Sequence, residues 1–236
     1  MKVMVNSRDI VGVFDYKVYP LPDNCTYLYL RCNQITNVKN IPETCTTLHL
    51  AFNKIIIIPE NVPQSVIVLS IPNNLIMKIP EYMGLRDYDH LNLYHNKINE
   101  IANIPYNIRI LNLQHNKIME IQNIPDSCEI LYLASNKITE IKNIPRNCKE
   151  LVLFSNKITE IKGIPQNCVD VDLGDNPITK ISQHIPVTMN IIGVDILKDY
   201  SKQEISDFTQ PYRLYKLLIF YKIHYCIKII KSYISI

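Results

Sequence analysis

The sequence holds no tryptophan and only five glycines in 236 residues, and its formal net charge is +3. So small an excess of base is too weak for bulk electrostatics to draw in a nucleic acid, and no nucleic-acid partner is expected. The opening MKVMVNSRDIVGVFDYK lacks an unbroken apolar core followed by a small-residue cleavage site. The expectation is therefore a chain without a secretory signal, in an intracellular, cytoplasmic, reducing compartment. Seven cysteines, an odd number, fit that compartment better than a closed disulfide framework. No Gly-rich phosphate loop, HExxH, GxSxG or paired CxxC occurs. The chain thus reads as a non-enzymatic protein with no cofactor.

What the sequence has in abundance is repetition. Aligned on the asparagine of an N-K-I-like triplet, it gives Asn33, Asn53, Asn74, Asn96, Asn116, Asn136, Asn156 and Asn176, with steps of 20, 21, 22, 20, 20, 20 and 20. A fixed short period marks a solenoid. Each unit reads apolar-x-x-L-x-L-x-x-N-x-I-x-x-I-x-x-I-P, as in Cys128, Leu131, Leu133, Asn136, Ile138, Ile141, Ile144 and Pro145. The L-x-L pair predicts a short strand with alternate side chains inward, paired in parallel with its counterparts at about 4.8 Å. A buried turn leaves backbone groups unpaired, and an amide side chain both donates and accepts, so Asn96, Asn116, Asn136 and Asn156 are expected to form an internal ladder. The Ile-Pro steps favour extended backbone, and so short a unit has no room for a proper outer helix.

The cysteines fall into one slot. Cys25, Cys45, Cys128, Cys148 and Cys168 occupy the first apolar position of the unit, where other repeats place Val66, Tyr88 and Ile108. A position that accepts Cys, Val, Ile or Tyr selects apolar filling, and free cysteine is a small buried hydrophobe. A row of thiols also lacks the tetrahedral convergence that zinc requires.

This pattern resembles the leucine-rich repeat over residues 21 to 186, with a degenerate ninth strand at Ile192-Gly193-Val194. In repeat length and proline placement it is most similar to the short repeats of YopM/IpaH-type bacterial effectors. Its Ile/Asn/Lys-rich wording is similar to uncharacterised repeat proteins of mimivirus-like giant DNA viruses. The resemblance implies a leucine-rich-repeat solenoid with a parallel β-sheet on the concave face and an extended or irregular convex side. IpaH-type proteins owe ubiquitin-ligase activity to a separate domain with a cysteine nucleophile, which nothing in this sequence matches. The expected layout is an N-terminal cap at 1–20, repeats at 21–196 and a basic, apolar tail at 197–236.

Solenoids of this kind bind through the concave face. The outward positions run from Tyr27, Tyr29, His49 and Phe52, through His90, Tyr94, His95 and His115, to Tyr132, Phe154, Asp170 and Asp172. The face is expected to begin aromatic, turn His/Asn-rich and end acidic. Rigid exposed aromatics are favoured anchors for a protein partner. His90, His95 and His115 also raise zinc as a weaker reading, and no acidic group stands ready to orient them. The convex side carries rows of charge, Lys97, Lys117, Lys137 and Lys157 beside Glu100, Glu120, Glu140 and Glu160, read as a solvated surface.

From Pro211 the tail PYRLYKLLIFYKIHYCIKIIKSYISI has five Lys/Arg and no acid. As a helix it is amphipathic, so it is expected either to cap the last repeat or to tether the chain to an anionic membrane surface.

Overall fold

The computed structural model describes residues 1–5, 10–19, 22–183, 185 and 188–194. The tail, with its expected helix, lies outside the described residues. Ten strands form one parallel sheet in the order β1 (Lys2–Met4), β3 (Tyr27–Tyr29), β5 (Thr47–His49), β6 (Val68–Ser70), β7 (His90–Asn92), β8 (Ile110–Asn112), β9 (Ile130–Tyr132), β10 (Glu150–Val152), β12 (Asp170–Asp172) and β14 (Asn190–Ile192). Two smaller parallel pairs join β2 (Val11–Asp15) to β4 (Gln34–Lys39) and β11 (Glu160–Ile161) to β13 (Lys180–Ile181). One 3-10 turn, Glu81–Leu85, is the only helical element among the described residues.

Each strand of the ten-stranded sheet is three residues long, and those from β3 to β10 are centred on the first leucine of the L-x-L pair. The pairing keeps these centres in line, for example Leu111 with Leu131 and Leu131 with Leu151. All of them from Leu28 to Val171 are fully buried, as are the second leucines Leu93, Leu113, Leu133 and Leu153. The isoleucines that follow each asparagine fill the rest of the interior, and Ile98, Ile118, Ile138 and Ile158 show no exposed surface. Burying each such side chain contributes roughly 1.5–3 kcal/mol, so a short unit with no helix still carries a continuous core once its neighbours are stacked.

The asparagine ladder runs through the backbone instead of from amide to amide. Asn136 Oδ1 accepts the Ile118 N–H at 3.0 Å, while its Nδ2 donates to the Leu113 and Leu133 carbonyls, each at 3.0 Å. Asn53, Asn74, Asn96, Asn116, Asn156 and Asn176 repeat the same exchange. One amide therefore satisfies three buried backbone groups, two of them in the preceding turn.

In five of the turns two residues adopt the left-handed region. The residue just before the ladder asparagine does so in His95, His115 and Ser135, with φ of 52–54°. So does the residue before the Ile-Pro step in Asn40, Asn103, Asn123, Asn143 and Gly163, but not in Ile57 or Lys78, which precede Ile58-Pro59 and Ile79-Pro80. Asparagine and glycine tolerate this conformation best. The amides there form a second row, with Asn123 Nδ2 on the Ile101 carbonyl at 3.2 Å and Asn143 Nδ2 on that of Ile121 at 3.0 Å. The proline then opens a tight turn, its carbonyl accepting the N–H three residues on, as Pro125 does from Cys128 at 3.1 Å.

At the start of the chain β1 pairs with β3 and β2 with β4, so the first residues extend both ladders. At the other end the last strand is Asn190–Ile192, two residues earlier than the expected Ile192-Gly193-Val194. Gly193, at φ 80°, follows this strand because its backbone presses on Gly174, where a Cβ would stand 2.2 Å from the Gly174 Cα. The glycine marks the end of the strand, not its middle.

Candidate functional site: the outward face of the ten-stranded sheet

Alternation along each strand turns the residues on either side of the central leucine away from the core. At the N-terminal end the Tyr29 ring stacks on His49, with centroids 4.4 Å apart and planes 11° from parallel. Lys2 Nζ lies 4.7 Å from the centre of the Tyr29 ring, close enough for a cation–π contact. Tyr27 is 46% exposed and Phe52 51% exposed, the latter held outward by a left-handed backbone at φ 55°. Burial, with Arg31, His90 and Lys2 nearby, pushes the His49 pKa below its ordinary value.

In the middle, Tyr94 stands edge-on to His115 at 5.0 Å and 6.0 Å from His95, and the two imidazoles are 6.0 Å apart. His90 is not part of this group. It opens β7, in register with Val68 and Ile110, and burial lowers its pKa. The three imidazoles that the sequence suggested as a set are split because five residues of extended chain separate His90 from His95, on the order of 16 Å. Among the described residues no group of three or more His, Cys, Asp or Glu is arranged to hold a metal ion.

Further along, Tyr132 lies beside the Glu150 carboxylate, and burial together with that anion raises the phenol pKa. Phe154 is 44% exposed and its ring passes over Gly174, where a Cβ would come within 2.9 Å of Cδ2. The acidic end is smaller than its sequence suggests. Asp172 turns one oxygen onto the Gly174 N–H at 3.0 Å, closing the strand end as Asn92 does with Tyr94 and Asn112 with Gln114. Asp170 stays exposed and accepts from Asn190 Nδ2 at 3.2 Å.

Sequence reading passed over Val68, Ile110 and Ile130, which share the outward column with Tyr27 and His90 and are only partly buried. The signal was present: they stand immediately before the first leucine, a position that the same alternation turns outward. From β5 through β9 the face holds no Asp, Glu, Lys or Arg at any of the outward positions.

Beneath the face lies the cysteine row. Cys25, Cys45, Cys128, Cys148 and Cys168 are free and fully buried. All five direct Sγ at the carbonyl two residues on, such as Cys128 to Ile130 at 3.4 Å and Cys168 to Asp170 at 3.9 Å. Burial pushes Cys45 up to about 11 and Cys128 up to about 12. Cys148, pressed against the Cys168 thiol in the same interior, is also pushed up. All five act as core, and only the Cys168 thiol, hydrogen-bonded to Cys148, is shifted downward.

On the convex side the glutamates pair with lysines other than the expected row. Glu120 and Glu140 meet Lys142 at 3.6 and 3.7 Å, and Glu160 meets Lys162 and Lys180 at 3.0 and 2.8 Å. These bridges lie at the surface, with only Glu160 partly covered, and contribute little individually. Among the described residues no helix is long and apolar enough to cross a membrane.

A parallel solenoid with an L-x-L strand and an asparagine turn in every unit is the leucine-rich-repeat fold. No family model and no curated protein matches the chain. Solved structures do. YopM from Yersinia enterocolitica WA-314 superposes with a TM-score of 0.61 at 22% identity, over 75% of this chain and 43% of that one. The functional domain of InlJ from Listeria monocytogenes, described as including a cysteine ladder, gives 0.55 at 23% identity, over 68% and 37%. The plant peptide hormone receptor RGFR1 in complex with RGF2 gives 0.50 at 24% identity, over 71% and 31%. The chain thus spans less than half the length of these proteins, and what it shares with them is the fold.

Proposed function

We propose that the chain is a non-enzymatic protein-interaction module whose working surface is the outward face of the ten-stranded sheet. The observation that supports this most directly is the distribution of charge. Five consecutive strands, β5 to β9, present His, Asn, Tyr and aliphatic side chains without one full charge, and charged residues appear only toward the ends. Protein interfaces have this anatomy, a core depleted of charge and enriched in aromatics within a polar rim. A structure of the same fold, RGFR1, is a peptide hormone receptor in complex with RGF2, which agrees with a protein or peptide partner. A reducing, intracellular compartment belongs to the same proposal, in keeping with five free thiols in the core.

The test replaces the two outward aromatics, Tyr132 and Phe154, with alanine and compares affinity capture from the native cell with that of the intact chain. The double variant should melt close to the parent and lose partners. A second arm deletes the chain after Pro211, which should leave capture intact. Unchanged capture by the aromatic variant, together with tail-dependent binding to anionic vesicles, would transfer the function to the tail.

A further inference from the structure

The uncharged middle of the sheet face separates two ends of opposite sign. Among the described residues, Lys2 on β1 and Arg31 just after β3 are the full charges of the N-terminal end, and both are exposed. Glu150 on β10, Asp170 and Asp172 on β12, and exposed Asp175 supply the C-terminal end. Six strand spacings separate β3 from β10, roughly 29 Å at about 4.8 Å each. That exceeds the physiological Debye length of about 8 Å severalfold, so the two ends act as independent poles.

We infer that the partner this face fits is a second copy of the same chain, docked face to face with the two solenoids antiparallel. This deepens the reading of the face as an interaction surface and rests on it. A face positive at one end and negative at the other is complementary to itself when a two-fold axis runs along the central strand. The strand order puts that axis on β7: β1 then faces β12 of the other copy, β3 faces β10, and β6 faces β8. Lys2 meets Asp170 and Val68 meets Ile110, each contact made twice, while Arg31 comes opposite Phe154, about 13 Å along the strand from Glu150. A two-fold that kept the solenoids parallel would instead set Lys2 on Lys2 and Asp170 on Asp170. The charge pattern selects one orientation and disfavours the other.

The available surface suffices. Ten strands, with a run of five residues along each, span roughly 43 by 13 Å. With side-chain relief this approaches the ~800 Å² per partner of a standard interface. The dyad passes through an uncharged strip, where desolvation costs least.

The experiment uses the full chain and measures mass by sedimentation between about 0.01 M and about 1 M salt, where the Debye length falls from about 30 to about 3 Å. The unmodified chain should dimerise, and less tightly at high salt. The pair Lys2→Glu with Arg31→Glu, and separately the pair Glu150→Lys with Asp170→Lys, should each weaken self-association on the order of 100-fold, because like charges then oppose each other twice. Circular dichroism and melting confirm that these surface variants fold. Mixing the two variants should restore a one-to-one dimer, since the reversed N-terminal end of one copy then faces the reversed C-terminal end of the other, and the two unreversed ends, with their original signs, face each other. A dimer indifferent to both reversals, or two reversed variants that do not associate when mixed, overturns the inference. So does a chain monomeric at low salt. If that monomer still loses captured partners when Tyr132 and Phe154 become alanine, the interaction surface stands and only the self-pairing falls.

Discussion

Asn136 and Ile118 belong to different turns, yet the amide oxygen of the first accepts the backbone N–H of the second at 3.0 Å, inside the protein. Replacing Asn136 with alanine strips the Ile118 N–H of its partner and takes one of two amide donors from each of the Leu113 and Leu133 carbonyls, which keep Asn116 and Asn156. Buried groups left unpaired cost about 1–3 kcal/mol, and thermal melts should show a loss of that size. Asn136→Asp keeps the acceptor and forfeits the donor, so it should also be destabilised. Melts unchanged in both variants would remove the ladder from the account of stability.

Six of the seven cysteines lie among the described residues, and of these only Cys32 is exposed. With Cys226 replaced by serine, a maleimide should label Cys32 in the native protein and reach the five buried thiols only after denaturation. Cys148→Val should fold and melt near the parent, since it exchanges one small apolar group for another. Rapid native labelling of Cys128 or Cys148 would contradict their burial.

Gly163 has φ 79°, and a Cβ there would stand 2.5 Å from the Ile141 carbonyl oxygen. Gly163→Ala combines this contact with a disfavoured backbone and should cost about 1–3 kcal/mol. Asn143→Gly, at the equivalent place one turn earlier, retains the backbone freedom and loses only the bond to the Ile121 carbonyl, so about 1 kcal/mol is expected. Urea midpoints of the two variants, compared at equal slope, measure the difference.

His49 and His90 carry pKa values below the ordinary 6.5 because burial disfavours their charged forms. Below 6.5 the unfolded chain therefore takes up protons that the folded chain resists. Their contribution is fully present above 6.5 and is lost as pH falls through the window between 6.5 and the lower folded values. Urea melts from about pH 8 to about pH 5 should record this decline, and a His49→Gln, His90→Gln variant should flatten it. An equal slope in the variant would assign the decline to other groups.

The solenoid, its strands and its asparagine ladder were legible in the sequence because each rests on a residue that recurs at one spacing. Leu111, Leu131 and Leu151 announce the register, and Cys128 and Ile108 in one slot announce the core. The left-handed positions were harder. His95, Ser135 and Phe52 share a backbone conformation but no chemistry, so nothing in their side chains advertises it. The Asn143 row was readable in principle from the Asn or Gly that precedes most of the Ile-Pro steps, yet asparagine is so common here that the signal sinks into the composition. The face was legible by position and not by contact: alternation located Tyr132 and Asp172 correctly, but the pairing of Tyr132 with Glu150 and the turning of Asp172 onto Gly174 depend on side-chain geometry.

The ladder also gives the solenoid a direction in time. Every asparagine from Asn53 to Asn176 completes the turn that precedes it, so a chain emerging N-terminus first always carries one unfinished turn at its growing end. The Ile118 amide has no partner until Asn136 has been made and folded back. Injury should propagate along the same one-way street, with exchange of the Ile118 amide hydrogen accelerating when Asn136 is altered and the turns beyond it left quiet.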